Sequence, residues 1–413
     1  MNGQGLADHF FRHEYGRLVA LLCRRVGLQH LEAVEDAVQA ALLAGLESWT
    51  RTGVPDNPAA WLYRVAHNHL IGELRQTGRR TRLAGQYGVD LMETVEDAAD
   101  IYLLADVQDD LLRMLFACCD DSIPLESQLV FALKTVCGFD VHEIAQRLFA
   151  TEASVYKRLT RARNRLLELQ PPPDELGPAE IASRVPAVQT ILYLMFTEGH
   201  LSSHVSTPLR GELCDEAKRL TLLLAEHALG GNPETFALMA LMHLHAARMA
   251  ARQDEAHALL LLGEQDRSSW DIDEIAVGLS WLQRSAQGAS FTRYHAEAGV
   301  AAEHCLAPSI AQTRWDRIVE CYELLDRLAP SALHTLSKAL AVAECCGPQR
   351  GLAVLDRLDA PAGLADSYLC HAVLADLQLR CGHIEVARSH REAALAAAPS
   401  SAVRAALARR LGD

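Results

Sequence analysis

Residues 140–165, DVHEIAQRLFATEASVYKRLTRARNR, predict two helices joined by a short turn. Asp140 and Glu143 lie three residues apart at the start of the first helix and fit a capping box, in which each side chain accepts a hydrogen bond from the other residue's backbone N–H. Each helix also has one apolar stripe at helical spacing. The stripes consist of Ile144, Ala145 and Leu148 in the first helix and of Val155, Leu159, Ala162 and Leu166 in the second. The stretch therefore predicts a helix-turn-helix.

The outer face of the second helix is basic, with Glu152 as its single acid. Cations on such a face neutralise phosphates, and residues near the helix N-terminus reach base edges in the major groove. The pattern predicts a DNA recognition helix, although a solvated basic helix is the alternative for an isolated pair. The candidate DNA-binding residues are Glu152, Ser154, Tyr156, Lys157, Arg158, Arg161, Arg163 and Arg165.

Two further amphipathic helices are predicted upstream. In residues 57–75, NPAAWLYRVAHNHLIGELR, a proline stands near the helix start and an apolar line follows at spacing four. In residues 31–49, LEAVEDAVQAALLAGLESW, the apolar stripe leaves an acidic outer face. We expect that outer face to present Glu32, Glu35, Asp36 and Gln39.

Together these segments resemble the extracytoplasmic-function sigma factors, promoter-recognition subunits of bacterial RNA polymerase. The phrases VEDAVQAALLAGLESW, NPAAWLYRVAHNHLIGELR and the helix-turn-helix occur in the order and spacing of that family. Phrases such as ILYLMFTEGH, LCDEAKRL and GEQDRSSWD are similar to the C-terminal helical extension of one subgroup. The resemblance implies a sigma factor that binds core RNA polymerase and promoter DNA and needs no cofactor.

The resemblance also implies roles for residues. Glu32, Glu35, Asp36 and Gln39 would dock on the polymerase, and the helix 152–165 would read the −35 element. Residues 47–75 would capture and help unpair the −10 element, where Trp49, Trp61 and Tyr63 could stack on bases, although core packing is the alternative for Trp61. The candidate −10 residues are Trp49, Arg64, His67, Asn68, Arg75 and Arg79.

The predicted fold is all-α, with two small helical sigma domains, the second a helix-turn-helix, and then a tetratricopeptide-like helical-repeat domain. Shifts in composition divide it into sigma region 2 (1–78), an acidic linker (79–103), sigma region 4 (104–170), a proline-rich linker (171–180) and a regulatory extension (181–413). In the extension, Gly347 and Gly382 stand 35 residues apart, close to one repeat period of about 34 residues. An irregular helical bundle is the alternative for the extension.

Composition agrees with a DNA-binding subunit that acts with a larger partner. The formal net charge of −14 disfavours autonomous nucleic-acid binding. The eleven cysteines lack CxxC spacing, so we expect free thiols and no metal site. We find no signal peptide and no apolar run long enough to span a membrane, and we therefore expect no membrane contact and a cytoplasmic location.

Other functions are also compatible with parts of the chain. A helix-turn-helix regulator with a ligand- or partner-sensing helical domain explains 140–165, and a tetratricopeptide-like scaffold explains only the C-terminal half. We predict that the protein is not an enzyme, because no nucleophile–base pair or phosphate loop accompanies the polar residues of the extension. The extension could instead contact the chain's own DNA-binding domains or a protein partner. Its polar run GEQDRSSWD, residues 263–271, fits a buried ion-pair network or a peptide-binding groove.

Overall fold

The computed structural model describes residues 3–81, 110–168, 176–202, 209–255, 258–288, 290–356, 358 and 360–412. The side chains of residues 3–13, 77–81 and 362 lie outside this description, and so does most of the predicted linker 79–103. The described residues are helical and contain no β-strand, apart from an isolated bridge between Gln253 and Leu259. The prediction of an all-α fold is confirmed.

Contacts divide the chain into two units. The first consists of Met1–Ile144 with Glu152–Ile191, and the second of Ala145–Thr151 with Leu192–Asp413. The predicted boundary at 171–180 therefore falls within the first unit, and the seven residues at the predicted helix-turn-helix turn belong to the second. The five predicted domains stay a prediction.

The described residues of the first unit form six helices and the first parts of two others, the sixth and the eighth in chain order, whose last residues belong to the second unit. They are α1 (Gly3–Val26), α2 (Leu31–Thr52), α3 (Pro58–Thr81), α4 (110–118), α5 (Leu125–Thr135), α6 (Val141–Arg147), α7 (Glu152–Glu168) and α8 (Pro178–His200). Helix α3 begins at a proline, and the side chain of Asn57 accepts a hydrogen bond of 3.0 Å from the Ala60 N–H. Helix α2 packs against α3, and α5 packs against α7. These pairs bury most of the apolar stripes that the sequence predicts, although Leu166 is partly exposed and Leu46 is exposed.

The first turns of α8 belong to this core. Arg184, 5% exposed, donates to the Phe116 carbonyl at 3.1 Å and to Asp120 at 2.6 Å. Val185 and Val188, which follow Arg184 on the same helix, are also buried. The residues after the predicted proline-rich linker therefore complete the first unit.

The second unit is a succession of packed helices. They are α9 (Gly211–Glu226), α10 (Pro233–Ala246), α11 (Ile272–Ser285), α12 (Arg293–Leu306), α13 (Trp315–Leu328), α14 (Ala332–Cys346), α15 (Pro348–Leu355), α16 (Ala362–Ala365), α17 (Tyr368–Arg380), α18 (Ile384–Ala396) and α19 (Ser401–Leu411). Neighbours along the chain pack on one another, most closely α10 on α11, α14 on α15 and α17 on α18.

Glycines form the turns of two of these pairs. Gly347 and Gly382 have φ of 94° and 84°, a left-handed conformation that side chains with a Cβ rarely adopt. Gly351 lets α15 approach α14 closely, since a Cβ there would lie 2.7 Å from the Ala339 carbonyl oxygen. Such hairpins support the tetratricopeptide-like repeat, which itself remains a prediction. None of the described helices is long and apolar enough to cross a membrane.

Candidate nucleic-acid and polymerase interface

The first helix of the predicted helix-turn-helix begins where its capping signal predicts. The Glu143 N–H donates to the Asp140 carboxylate at 2.7 Å, and the Asp140 N–H donates to the Glu143 carboxylate at 2.8 Å. Val155, Leu159 and Ala162 of α7 are buried. The predicted capping box and the predicted inward face of the second helix are therefore confirmed.

The outward face of α7 presents most of the predicted DNA-binding residues. Glu152, Tyr156, Lys157, Arg161 and Arg165 are exposed, while Ser154 and Arg158 are partly exposed. Arg158 donates to Glu126 at 2.5 Å, and that carboxylate side chain is 70% exposed. Because exposed ion pairs contribute little, Arg158 can exchange Glu126 for another partner at small cost. Tyr156, Lys157, Arg161 and Arg165 also line one open groove.

Arg163 has a different environment from its neighbours on α7. Its guanidinium forms an ion pair with Glu35 of α2, which is 6% exposed. Burial raises the pKa of Glu35, and the charge of Arg163 partly opposes that rise. The expected position of Glu35 on the exposed acidic face is therefore wrong, because its carboxylate faces Arg163 in the first unit.

The rest of the acidic face of α2 lies where the sequence predicts it. Glu32, Asp36 and Gln39 are exposed, and they point away from the buried residues Val34, Ala37 and Val38. These three polar side chains remain accessible to a protein partner.

The candidate −10 residues divide into exposed and buried groups. Arg64, Asn68 and Arg75 are exposed on α3, and the side chain of Arg79 lies outside the described residues. His67 is only 6% exposed, so this candidate −10 residue is buried, and its contact with DNA stays a prediction. The ring centroids of His67 and Tyr63 are 5.8 Å apart. Burial, together with the nearby charge of Arg25, lowers the pKa of His67.

Two tryptophans meet at the ends of α2 and α3. The ring centroids of Trp49 and Trp61 are 5.5 Å apart in an edge-to-face arrangement, and both side chains are partly exposed. Such a pair is held by its own packing and still offers ring surface.

Several polar residues of the second unit contact one another in pairs. His243 lies 2.6 Å from Glu274, and the ring of His245 lies 4.9 Å from that of His200. No group of three or more potential metal ligands occurs in the described ranges. Sequence patterns missed the buried arginines Arg248 and Arg252, because helical spacing does not reveal which cations a fold will bury.

Comparison with known proteins agrees with this geometry. Residues 11–80 match the sigma-70 region 2 model, and residues 184–286 match a family of unknown function, DUF6596. An uncharacterized protein of Rhizobium meliloti strain 1021 is 33% identical over 374 residues, which cover 90% of this chain and 88% of the relative. No solved structure matches the chain. The chain thus belongs to the family of the Rhizobium protein, and its sigma-70 region 2 match supports a sigma factor involved in transcription initiation.

Proposed function

We propose that this protein is an extracytoplasmic-function sigma factor that binds core RNA polymerase in the cytoplasm and directs it to promoters. The observation that carries the proposal is that one unit holds the sigma-70 region 2 match, the capped start of α6 and the basic outer face of α7. Such a protein acts by binding and strand opening, without a cofactor of its own. A helix-turn-helix regulator leaves the region 2 match unexplained, and a helical scaffold leaves the whole first unit unexplained.

Each surface of the first unit has a role in this proposal. The exposed residues Glu32, Asp36 and Gln39 of α2 dock on the polymerase, and α7 reads the −35 element. Arg64, Asn68 and Arg75 lie on α3, on the helix that carries Trp61, and contact the −10 element. The partly exposed rings of Trp49 and Trp61 supply a stacking surface for an unpaired base.

The docking surface can be tested by reversing its charge. Asp36→Arg with Gln39→Ala leaves the buried stripe of α2 intact, so the fold should persist while affinity for core polymerase falls about tenfold or more. Charge changes at an interface rim act mainly on association rate and salt dependence. The measurement is binding of the full chain to purified core polymerase at several salt concentrations.

Glu47→Arg is the matched control, because Glu47 is exposed near the other end of the same helix. The control should bind polymerase like the wild type. Equal affinity of the double variant and the wild type would exclude this face as the docking surface. Failure of the wild-type chain to bind core polymerase at all would favour the helix-turn-helix regulator instead.

We also propose that the second unit modulates promoter recognition through the turn before α7. Residues Ala145–Thr151 belong to that unit. Phe149 packs there against a cluster that contains Leu336, Leu364 and Cys370, and its φ of 49° is unusual for a bulky residue. The surrounding packing holds this strained backbone in place.

Gly363→Val tests the modulation without altering a docking or DNA-facing residue. A Cβ at Gly363 would lie 2.7 Å from the Phe149 carbonyl oxygen, so the larger side chain should displace the turn. We expect unchanged affinity for core polymerase and at least a twofold change in transcript yield at equal holoenzyme occupancy. The control is Gly211→Val, where a Cβ has no neighbour within 4 Å. Equal yields from the two variants and the wild type would contradict the modulatory role.

A further inference from the structure

A group of buried cations lies in the second unit, at the end of α10 and in the segments that follow it. Arg248 and Arg252 are 9% and 8% exposed, and Arg267 is partly buried. The guanidinium carbons of Arg248 and Arg267 lie 5.7 Å and 4.7 Å from the ring centroid of Trp270. We call Arg248, Arg252 and Arg267 the arginine cluster.

The arginine cluster contains hydrogen-bond donors without acceptors. The Nε atoms of Arg248 and Arg252, one terminal nitrogen of Arg267 and the Trp270 indole nitrogen are all buried and have no partner among the described residues. Arg267 is fixed by its other terminal nitrogen, which donates to the His304 carbonyl at 2.5 Å and the Ala307 carbonyl at 2.7 Å. Buried donors without an acceptor are rare in native proteins. Several of them close together therefore indicate a binding partner.

The positive charge of the cluster is also uncompensated. The groups whose charged forms would favour the arginines electrostatically are Cys214, Cys305 and Tyr368. Burial raises the pKa of Cys305 to about 11, that of Cys214 to about 12 and that of Tyr368 above its usual value, so all three are neutral at pH 7. In the described part of the chain, no carboxylate forms an ion pair with any of the three arginines.

The charges of the arginine cluster also lower the pKa values of nearby histidines. Burial, followed by the charges of Arg248 and Arg267, lowers the pKa of His304 to about 4. Burial, followed by the charge of Arg252, lowers the pKa of His200, whose Nε2 lies 3.0 Å from a terminal nitrogen of Arg252. Burial and the charge of Arg248 lower the pKa of Arg252 itself to about 9, which still leaves it charged at neutral pH. The arginines therefore repel one another while their neighbours stay neutral.

We propose that the arginine cluster binds a small oxyanion, a molecule that carries a phosphate or a carboxylate group. Guanidinium groups match both anions through paired N–H donors, and stacking on an indole leaves the donor edge of the guanidinium free. An oxyanion would accept from the buried donors and supply the charge that the described residues lack. Leaving such charges unpaired is strongly unfavourable, whereas a bound anion stabilises the folded state by mass action.

The first test is calorimetric titration of the full chain with inorganic phosphate and, separately, with citrate, against sodium chloride of equal ionic strength. We expect one binding site per chain, with affinity at least tenfold weaker in Arg248→Met and in Arg252→Met. Arg388→Met and Arg404→Met are the controls, because both cations are exposed, one on α18 and one on α19. They should bind like the wild type. Binding of phosphate alone, or of citrate alone, would identify which oxyanion class the site takes.

The second test is thermal unfolding in anion-free buffer. Arg248→Met should unfold at the same temperature as the wild type or at a higher one, because it removes a buried charge that has no partner. Phosphate or citrate should raise the midpoint of the wild type and not that of the variant. A lower midpoint or loss of folding for Arg248→Met without anion would overturn the proposal, as would equal anion responses in the cluster variants and the controls. The first result would show that the arginines stabilise the fold without a ligand. The second would show that the anion binds elsewhere.

Discussion

Replacing both Arg158 and Arg161 by alanine is expected to weaken promoter binding by at least tenfold. Each arginine would contribute about 1–3 kcal/mol if it contacts a guanine edge through two hydrogen bonds. Arg161 is exposed, and the present partner of Arg158 is the largely exposed Glu126, so neither side chain is needed for the core of the first unit. The loss should therefore appear in DNA binding and not in folding.

The measurement is fluorescence anisotropy of a promoter fragment with reconstituted holoenzyme, on DNA identified by immunoprecipitation of the tagged protein. The matched control is a pair of exposed cations on other helices, Arg388→Ala with Arg404→Ala, which removes the same charge. If the double variant on α7 binds the promoter as tightly as the control, α7 is not the recognition helix. A parallel loss of affinity for core polymerase would instead indicate unfolding of the first unit.

Glu198→Gln is expected to destabilise the second unit by about 3–5 kcal/mol, the usual cost of leaving buried ions without their partner. Glu198 is fully buried, accepts from Arg147 Nε at 3.1 Å and from the Ser202 hydroxyl at 2.7 Å, and lies 4.0 Å from a terminal nitrogen of Arg210. Glutamine keeps the shape and can still accept from Ser202, but it leaves Arg147 without its carboxylate and removes one of the two carboxylates near Arg210, the other being Glu212 at 3.8 Å. Since Arg210 is only 3% exposed, water cannot replace the lost carboxylate there.

Urea unfolding followed by circular dichroism measures this loss, with the transition of the second unit analysed separately. Glu385→Gln is the control, because Glu385 and its partner Arg388 are both exposed and such pairs contribute about 0–1 kcal/mol. A midpoint shift for Glu198→Gln no larger than that of the control would show that Arg147 and Arg210 do not depend on this carboxylate. Because Arg147 also donates to the Leu201 carbonyl at 2.8 Å, the variant should loosen the turn before α7 as well.

The arginine cluster and the Glu198 network differ in one respect that decides their expected behaviour. Glu198 compensates its buried arginines within the protein, so its loss should destabilise the fold. Arg248 has no such carboxylate among the described residues, so its removal should not. If Glu198→Gln destabilises the protein and Arg248→Met does not, the first group is a structural ion network and the second a ligand site.

Local patterns in the sequence were sufficient to predict where α6 begins and which side of α7 is buried. The spacing of Asp140 and Glu143 determined the start of α6, and the period of Val155, Leu159 and Ala162 determined which side of α7 is buried. Capping and helical periodicity depend on residues three or four apart, so the chain specifies them without its distant parts.

Only the tertiary structure decided the environments of Glu35, His67 and the buried arginines. A helix that packs on more than one neighbour has a second buried face, which a single apolar stripe does not predict. Glu35 became buried because Arg163, 128 residues later, approaches it, and Arg248 became buried because α10 ends beside Trp270. Desolvation and charge pairing depend on groups that are distant in sequence, so the pairing of Glu35, the burial of His67 and the unpaired state of Arg248 followed from the fold and not from the local pattern.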